Sequence, residues 1–405
     1  MSVQALQAPE RSQYDVVIVG GGIIGASTAW FLSQNPDFTG TVLVVEKDPS
    51  YEFAATAHTN SCMRQQFSTR INIQVSQFAA EYVRHFQSHM GNDPRVPPLA
   101  FHCFGYMTLA NNQASANTLR ECQSLQAACG AATRTLTPEQ IERDYPFYHL
   151  DDIVAANHNR IDEGYFDSNT MFDWWRRLAR ERGVRFLTNE VMAMSTNSAG
   201  TEILSVTLKS GETVACQTVV NASGPRARLT AAMAGIAVPI EPRKRFTYIF
   251  SAQERLAGDL PLTVDPSGVH VRTDGQYYMA GCAPEHDPAV GPDDFSDHPG
   301  LWEDKVWPAL AHRIPQFEAI KLVNSWVGHY SFNTLDHNAV LGRHDTVKNF
   351  IFANGFSGHG TQQSPAMGRG VAELIVYGHY QTLDLSAFGF SRILRNEALI
   401  EKAVI

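Results

Sequence analysis

Short runs of β-branched residues alternate with helical patterns at the start of the chain. Residues 15–19 read DVVIV and lead into GGGIIG, after which ASTAWFLSQ has helical character and TVLVVEK follows at 41–47. A strand, a glycine turn, a helix and a second strand in this order form a βαβ unit. The pattern therefore predicts a parallel α/β unit in this region.

The rest of the chain alternates between helical and strand-like stretches. Residues 69–89 predict a long amphipathic helix, and Ser168 is expected to cap a helix that ends at Gly183. A last helix is expected over 361–378, with apolar residues on one stripe. Strands are expected in VRFL, EVMAM, EILSVTLKSG and QTVVNASG, and in residues 236–281 and 320–332.

Size and charge limit the possible classes of protein. A chain of 405 residues exceeds one compact domain, so two domains are expected. The net charge of -9 argues against a broad basic surface for nucleic acid. No stretch has the pattern of a secretory signal or a membrane span, and the six cysteines show no metal or disulfide spacing. These features predict a cytoplasmic protein with reduced thiols and no membrane span.

The glycines of the βαβ turn have the spacing Gly20-x-Gly22-x-x-Gly25. The first glycine permits the tight turn, the second admits a pyrophosphate, and the third allows close packing of helix on strand. Glu46 ends the next strand, where a carboxylate can accept hydrogen bonds from an adenosine ribose. The pattern predicts a dinucleotide site, against the alternatives of a plain turn and a solvated carboxylate.

The turn alone does not distinguish NAD from FAD. However, TVVNASGPRA at 218–227 is a second β-branched run that ends near Gly224, and NGFSGHGTQQSPAMGRG at 354–370 places Gly355, Gly358 and Gly360 around His359. Such glycines usually mark a turn or a close approach to another group. Three separated segments that converge on one cofactor favour FAD, which is a long ligand.

These motifs together resemble the D-amino acid oxidase superfamily of flavoproteins, especially the branch with glycine oxidase, sarcosine oxidase and dimethylglycine dehydrogenase. The resemblance lies in VVIVGGGIIGASTAW, VLVVEK, TNSCMRQQF, VVNASG, WVGHYSFNTLDHNAVLG and GFSGHGTQQSPAMGRGVAEL. It implies an α/β, two-domain architecture: a Rossmann-like FAD-binding domain over 1–90, 155–235 and 335–405, and a discontinuous substrate domain over 91–154 and 236–334. The substrate domain is expected to contain a mixed antiparallel sheet over the flavin ring.

The resemblance also implies which residues contact FAD. The glycine-histidine loop is expected at the flavin ring, with the helix after it directed at the pyrimidine end, where its dipole stabilises the reduced, anionic flavin. Val191 is expected to offer its backbone to adenine. The expected FAD contacts are Gly20, Gly22, Ile23, Gly25, Glu46, Lys47, Thr59, Asn60, Ser61, Arg64, Val191, Gly224, Gly355, Gly358, His359, Gly360, Thr361 and Gln362.

Enzymes of this kind remove a hydride from a carbon that bears nitrogen, and water hydrolyses the resulting imine. The expected partners are therefore an amino acid or amine substrate and an electron acceptor, either oxygen or another molecule. The amine must be neutral to react, and Arg or Lys can position a substrate carboxylate. The residues expected to take part in catalysis are His359, Tyr248, Tyr330, His329 and Arg64.

Four departures from the family argue against glycine and sarcosine as substrates. His329 replaces the cysteine that bonds the flavin in sarcosine oxidase, Gln362 replaces a substrate-binding lysine, and Tyr330 replaces the arginine of glycine oxidase. The strand GQYYMAG also has no oxygen-promoting lysine. Other candidates, each with a surface, core or structural alternative, are Lys244, Arg245 and Arg272 for anions, Phe250 and Trp326 for the pocket wall, and His58 for a covalent flavin link.

Two other functions stay open at this point. Related flavoproteins oxidise carbinol carbons, so a 2-hydroxy acid such as 2-hydroxyglutarate is an alternative substrate. A closer likeness, through MRQQFS, EPRKR, DPSGV and GFSGHGxQQSP, is to flavoproteins that assist the assembly of respiratory complex I. That likeness implies a non-catalytic assembly factor as the third hypothesis.

Overall fold

The computed structural model describes residues 5–298 and 300–402. In chain order the strands are β1 (Gln13–Val19), β2 (Val42–Glu46), β3 (Cys62–Met63), β4 (Phe101–His102), β5 (Tyr106–Ala110), β6 (Arg134–Leu136), β7 (Ala155–Asn159), β8 (Gly164–Phe166), β9 (Arg185–Thr188), β10 (Val191–Thr196), β11 (Ile203–Leu208), β12 (Thr213–Asn221), β13 (Ile240–Ala252), β14 (Leu262–Val264), β15 (His270–Asp274), β16 (Tyr277–Cys282), β17 (Ile320–Asn333), β18 (Val340–Arg343) and β19 (Phe350–Asn354). The helices are α1 (Ile23–Gln34), α2 (Arg70–Arg84), α3 (Phe86–His89), α4 (Gln113–Ala128), α5 (Pro138–Asp144), α6 (Ser168–Glu181), α7 (Ala227–Ala232), α8 (Trp307–Arg313), α9 (Gly360–Tyr377) and α10 (Ser391–Leu394), with a π-helical turn at Trp302–Val306.

The first sheet is built around five parallel strands in the order β9-β2-β1-β12-β19. β1 and β2 are apolar because both faces of the sheet are covered, and the paired residues Val17 and Leu43 are fully buried. The antiparallel strand β18 pairs with β19, and the β10–β11 hairpin pairs with the first half of β12. Cofactors bind at the carboxyl ends of the parallel strands in such sheets.

Helices α1, α2, α6 and α9 cover one face of the first sheet and share its core. The hydroxyl of Tyr82 accepts hydrogen bonds from the indoles of Trp30, at 3.2 Å, and Trp175, at 2.8 Å, so these buried polar atoms are satisfied. α1 and α9 approach so closely that a Cβ atom on Gly368 would lie 2.1 Å from the Ser27 hydroxyl oxygen. Only glycine fits at that contact.

The second sheet has the strand order β17-β13-β16-β15-β14-β5-β7-β6. Neighbouring strands are antiparallel except β14 and β5, which are parallel. One face packs beneath α8 and the π-helical turn, where Phe250, Tyr278 and Phe317 are buried. A small third sheet, with the order β3-β8-β4, lies beside these two.

The predicted α/β architecture, a Rossmann-like sheet combined with a mixed and largely antiparallel sheet, is confirmed. The division into domains stays a prediction. β7 at 155–159 lies in the second sheet, although the second of the three FAD-binding segments was expected to begin at 155. The predicted cap of α6 is wrong. The Asp167 side chain accepts from the Thr170 amide at 3.0 Å, whereas the Ser168 hydroxyl is buried and lies 2.7 Å from that of Ser61.

Across the described residues, no helix combines the length and apolar character that a membrane crossing needs. The six cysteines are free thiols. A cytoplasmic location stays a prediction.

Candidate active site

A cavity of about 1050 Å³ extends from the β1–α1 turn to the loop before α9 and the second sheet. Gly20 and Glu46 line it beside the β1–α1 turn, and Arg64 and His359 line it beside the loop before α9. Tyr330 on β17 lines it on the side of the second sheet. The segments that the sequence analysis assigned to one cofactor therefore surround one space, although they are far apart in the chain.

The glycines of the β1–α1 turn serve different purposes. Gly20 has a φ of +101°, and a Cβ atom there would lie 2.5 Å from the Ala222 carbonyl oxygen. Gly22 and Ile23 line the cavity at the N-terminus of α1, where the Ile23 amide donates to the Thr56 hydroxyl at 3.0 Å. Gly25 does not line the cavity, because it packs against β1: its Cβ atom would lie 2.0 Å from the Gly20 carbonyl oxygen. The turn thus brings the N-terminal end of α1 and the Thr56 hydroxyl to the cavity wall, where a phosphate is expected.

Glu46 links this turn to the end of β2. Its carboxylate accepts hydrogen bonds from the Gly21 amide at 2.7 Å and the Asp48 amide at 2.8 Å. Burial raises the pKa of Glu46, and the two amide hydrogen bonds oppose that shift. Lys47 also lines the cavity, and its ammonium lies 3.5 Å from the Asp293 carboxylate. Glu46 is therefore held in place by backbone amides beside the expected ribose position.

Further along the cavity lie the residues expected at adenine and at the flavin edge. Val191 opens β10 and is buried, and Gly224, with a φ of +57°, begins a turn whose carbonyl accepts from the Ser331 hydroxyl at 2.9 Å. Thr59 and Ser61 line the cavity, as does Asn60, whose side-chain amide lies 3.0 Å from Nε2 of His270. The hydrogen bond from Ser331 therefore holds Gly224 at the cavity wall, and the contact with His270 holds Asn60 there.

Arg64, His359 and Gln362 form a buried polar group at the N-terminus of α9. Nη2 of Arg64 lies 3.0 Å from Nε2 of His359, and the Arg64 amide donates to Oε1 of Gln362 at 2.9 Å. Because a guanidinium can only donate, Nε2 of His359 accepts and the imidazole is neutral. Burial and the charge of Arg64 lower the pKa of His359 to about 3. Arg64 thus places a fixed positive charge at the cavity wall.

The glycine-histidine loop fits a planar ring that carries hydrogen-bond acceptors. Gly358, His359, Gly360, Thr361 and Gln362 line the cavity, and the side chain of His359, the N-cap residue, does not cap α9. Nε2 of Gln362 is buried and forms no hydrogen bond within the described residues. A carbonyl oxygen of bound FAD would satisfy that amide and the open helix end. The residues present therefore fit FAD.

Gly355 lies outside the cavity lining and shapes the loop. It has a φ of +72°, and its amide donates to the Ser331 hydroxyl at 3.2 Å.

The residues expected at the substrate wall are divided between the two faces of the second sheet. Tyr330 lines the cavity, and burial raises its pKa against the opposing charges of Arg245 and Arg64. His329 lines it too, but its Nε2 bonds to the Asp294 carbonyl at 2.7 Å and its ring stacks on Phe295. The expected place of Tyr248 in the pocket is wrong. Tyr248 packs on Trp302 in the core, because successive strand residues point to opposite faces.

Other expected wall residues also lie outside the cavity lining. Phe250 packs on Tyr278 and Phe317 in the core, and Trp326 is likewise absent from the lining. Lys244 pairs with Asp294 at 2.8 Å, and Arg272 pairs with Asp274 at 2.8 Å, so neither contributes to the wall. Arg245 is the one of these candidate cations that lines the cavity, and Asp287 offsets its charge at 2.9 Å.

His58 lines the cavity at its contact with β17. Its Nδ1 lies 3.2 Å from the Ala54 carbonyl oxygen. A Cβ atom on Gly328 would lie 2.8 Å from Cβ of His58. A covalent flavin link through His58 stays a prediction.

Among the charged residues that the sequence analysis did not single out are Lys305 in the cavity lining and Glu163, which bonds to the segment after Arg64. Lys305, in the π-helical turn, lines the cavity and donates to the Ala283 carbonyl at 3.2 Å. Glu163 is fully buried and accepts from the Gln65 amide at 2.7 Å and the Gln66 side chain at 2.8 Å. Burial raises the pKa of Glu163 to about 7. The π-helical turn at Lys305 is rare and often functional, but the sequence pattern does not reveal it.

Comparison with known proteins agrees with this site. The family model described as "DAO: FAD dependent oxidoreductase" matches residues 15–374. "FAD-dependent oxidoreductase domain-containing protein 1" of Xenopus laevis is 38% identical, over 98% of this chain and 85% of that protein. Mitochondrial sarcosine dehydrogenase of Mus musculus is 22% identical, over 93% of this chain but 41% of that protein.

Among solved structures, L-proline dehydrogenase from P. horikoshii superposes with a TM-score of 0.83 at 26% identity. The match covers 96% of this chain and 99% of that chain. The agreement of the two folds therefore extends over both sheets. The chain belongs to the DAO family of FAD-dependent oxidoreductases.

Proposed function

We propose that the protein oxidises the C–N bond of an amino acid or N-substituted amino acid to an imine, which water then hydrolyses. The observation that carries this proposal is the continuous cavity that joins Gly20 and Glu46 to Arg64, His359 and a cationic part of the wall. When bound, FAD supplies the acceptor for the hydride that leaves the substrate carbon. The nitrogen lone pair then forms the C=N bond.

The protein's own residues would orient the substrate. Lys305 lines the cavity, and no ion pair joins it to a carboxylate in residues 5–298 and 300–402. Arg245 is already neutralised by Asp287. A substrate carboxylate is therefore bound by Lys305 in this proposal, which fixes the position of the carbon that bears nitrogen.

The charges of the cavity also favour the reactive form of the substrate. Arg64 is 3% exposed and directs one side of its guanidinium at the neutral His359. A nearby fixed cation disfavours an ammonium group, so the substrate amine loses its proton more readily in the cavity than in water. No protein base is then required for the amine to react.

The names of two similar proteins support a secondary amino group in the substrate. Proline and sarcosine, which appear in the names of the similar structure and the similar mouse protein, are both secondary amines. The departures at His329, Tyr330 and Gln362 argue against glycine and sarcosine themselves. Cyclic imino acids and larger N-alkyl amino acids therefore come first among candidate substrates.

The test is anaerobic reduction of the flavin-loaded protein by N-alkyl amino acids, cyclic imino acids, iminodiacids and hydroxy acids. We expect at least one secondary amino acid to bleach the flavin absorbance. Bleaching by hydroxy acids alone would establish the 2-hydroxy acid alternative instead. No bleaching by any of them would contradict the proposal and favour the non-catalytic role. Comparing peroxide formation with dye reduction would identify the electron acceptor.

A further inference from the structure

A group of three metal-binding side chains lies outside the cavity lining. His149 and Asp152 belong to the loop after α5, and His312 is at the end of α8. One ligand atom from each lies within 4.8 Å of the others. The two imidazole rings lie edge to face, with 4.9 Å between their centroids. Residues far apart in the sequence thus present three ligand atoms to one small volume.

Arg313 holds the segments that carry these ligands. Its guanidinium donates to both oxygens of Asp152 at 2.9 Å and to Asp265 at 2.7 Å. The His149 amide donates to the Arg313 carbonyl at 2.8 Å. None of these bonds uses an imidazole nitrogen of His149 or His312. The loop and the helix end are therefore fixed together by bonds that do not depend on either imidazole, and a fixed arrangement of ligands favours metal binding.

The local charge favours a cation. Asp152 and Asp265 pair with the guanidinium of Arg313, and Asp151 lies 3.3 Å from Nε2 of His149, so the group has three carboxylates against one guanidinium. The excess negative charge offsets the repulsion between Arg313 and a bound dication. Asp151 is exposed and close enough to reach a shared ion as a further ligand.

We propose that His149, Asp152 and His312 bind one divalent cation of the zinc type. Two imidazoles and one carboxylate suit Zn²⁺, whereas Mg²⁺ and Ca²⁺ prefer oxygen ligands. The ion joins the loop after α5 to the end of α8. Because α8 directly follows the π-helical turn that carries Lys305, the ion also stiffens one segment of the cavity wall.

The experiment titrates Zn²⁺ into the chelator-treated, flavin-loaded full chain by calorimetry, and follows the thermal unfolding midpoint in parallel. We expect saturable binding of one Zn²⁺ per chain and a higher midpoint with the ion than without it. His149→Ala and His312→Ala should each weaken binding by about tenfold or more and abolish the rise in the midpoint. Mg²⁺ in place of Zn²⁺ should give no saturable binding.

Both imidazoles are partly exposed, at 36% and 55% of the side chain, so the alanine variants are expected to fold. His286→Ala, which changes an exposed histidine outside the group, is the matched control and should bind Zn²⁺ like the unchanged chain. Unaltered binding in both His149→Ala and His312→Ala would place the ion elsewhere. No saturable binding to the unchanged chain would overturn the proposal outright.

Discussion

Gly358 lies directly against the ring of Tyr330. A Cβ atom built on Gly358 would stand 2.4 Å from both Cε2 and Cζ of that ring. Arg245 also packs on Tyr330, since its guanidinium carbon lies 4.6 Å from the ring centre. The loop before α9 and strand β17 are therefore in contact through a residue that has no side chain. This contact sets the distance between the proposed flavin position and the substrate wall.

Gly358→Ala should disturb the cavity more than an ordinary glycine substitution. Its φ is +97°, so alanine is strained there, and the added methyl group must also displace Tyr330. We expect FAD to bind at least about tenfold more weakly and the free energy of unfolding to fall by about 1–3 kcal/mol.

The matched control is Gly378→Ala at the end of α9. Its φ is +77°, but no atom lies within 4 Å of the added methyl group. FAD titration and urea unfolding of both variants measure the difference. Equal loss of FAD affinity in the two variants would show that the Tyr330 contact has no role.

Glu46→Gln should weaken FAD binding while preserving the fold. The carboxylate accepts from two backbone amides, whereas glutamine can turn only one oxygen toward them. Either the Gly21 amide or the Asp48 amide then faces the NH₂ group of glutamine, which cannot accept its hydrogen bond. We expect a tenfold to hundredfold rise, roughly, in the dissociation constant of FAD. The control is Glu52→Gln, at an exposed position nearby, which should leave the dissociation constant of FAD unchanged. If Glu46→Gln binds FAD with the same dissociation constant as the unchanged chain, Glu46 does not have the role given to it here.

Glu163 should make the stability of the protein depend on pH. Burial raises its pKa from the ordinary 4.5 to about 7, so between these values the folded chain binds a proton that the unfolded chain lacks. The stability that Glu163 contributes is fully present below about pH 4.5 and is lost as the pH rises through 7. The loss amounts to about 3 kcal/mol.

Urea unfolding of the unchanged chain and Glu163→Gln at pH 5, 6, 7 and 8 measures this effect. Glutamine has no proton to lose, so the variant should lose less stability than the unchanged chain as the pH rises. Any hydrogen bond lost to the Gln66 side chain lowers stability equally at every pH, which leaves the slope as the readout. Glu142→Gln, at an exposed position on α5, should keep the wild-type slope. Parallel slopes for Glu163→Gln and the unchanged chain would contradict the prediction.

Lys305→Met should weaken the binding of anionic substrates selectively. Methionine keeps most of the side-chain length but removes the charge that is expected to bind a carboxylate. For the best substrate found, we expect about a tenfold rise in the concentration that half-saturates flavin reduction, with a much smaller effect on the amide of the same compound. Lys321→Met, on the exposed part of β17, is the control. Equal effects on acid and amide would remove Lys305 from substrate recognition.

The dinucleotide half of the site could be predicted because its determinants are local. A strand, a turn with Gly20 and Gly22, a helix and the strand that ends at Glu46 specify one another over a short stretch of chain. The glycine-histidine loop could be predicted for the same reason, since its turn and helix are contiguous. The structure brings these segments to one cavity.

The substrate half could not be predicted to the same depth. Every second residue of β13 points to the core. The sequence of β13 alone does not show whether Tyr248 belongs to the core-facing set or to the cavity-facing set. Lys305 has the appearance of a solvated lysine on an amphipathic helix, and only the contact with Ala283 after β16 reveals its position. The burial of Glu163 depends on the Gln65–Gln66 segment, which is far away in sequence.

The close approach of α1 and α9 at Ser27 and Gly368 ties together the two helices whose N-termini are expected at the pyrophosphate and at the flavin ring of FAD. The Ser27 hydroxyl also donates to the Ser364 carbonyl of α9 at 2.7 Å, so the two helices are bonded as well as packed at this crossing. We expect this crossing to hold constant the distance between the expected pyrophosphate position and the expected ring position. A shorter nucleotide can occupy one position or the other, but only a ligand of the full length engages both.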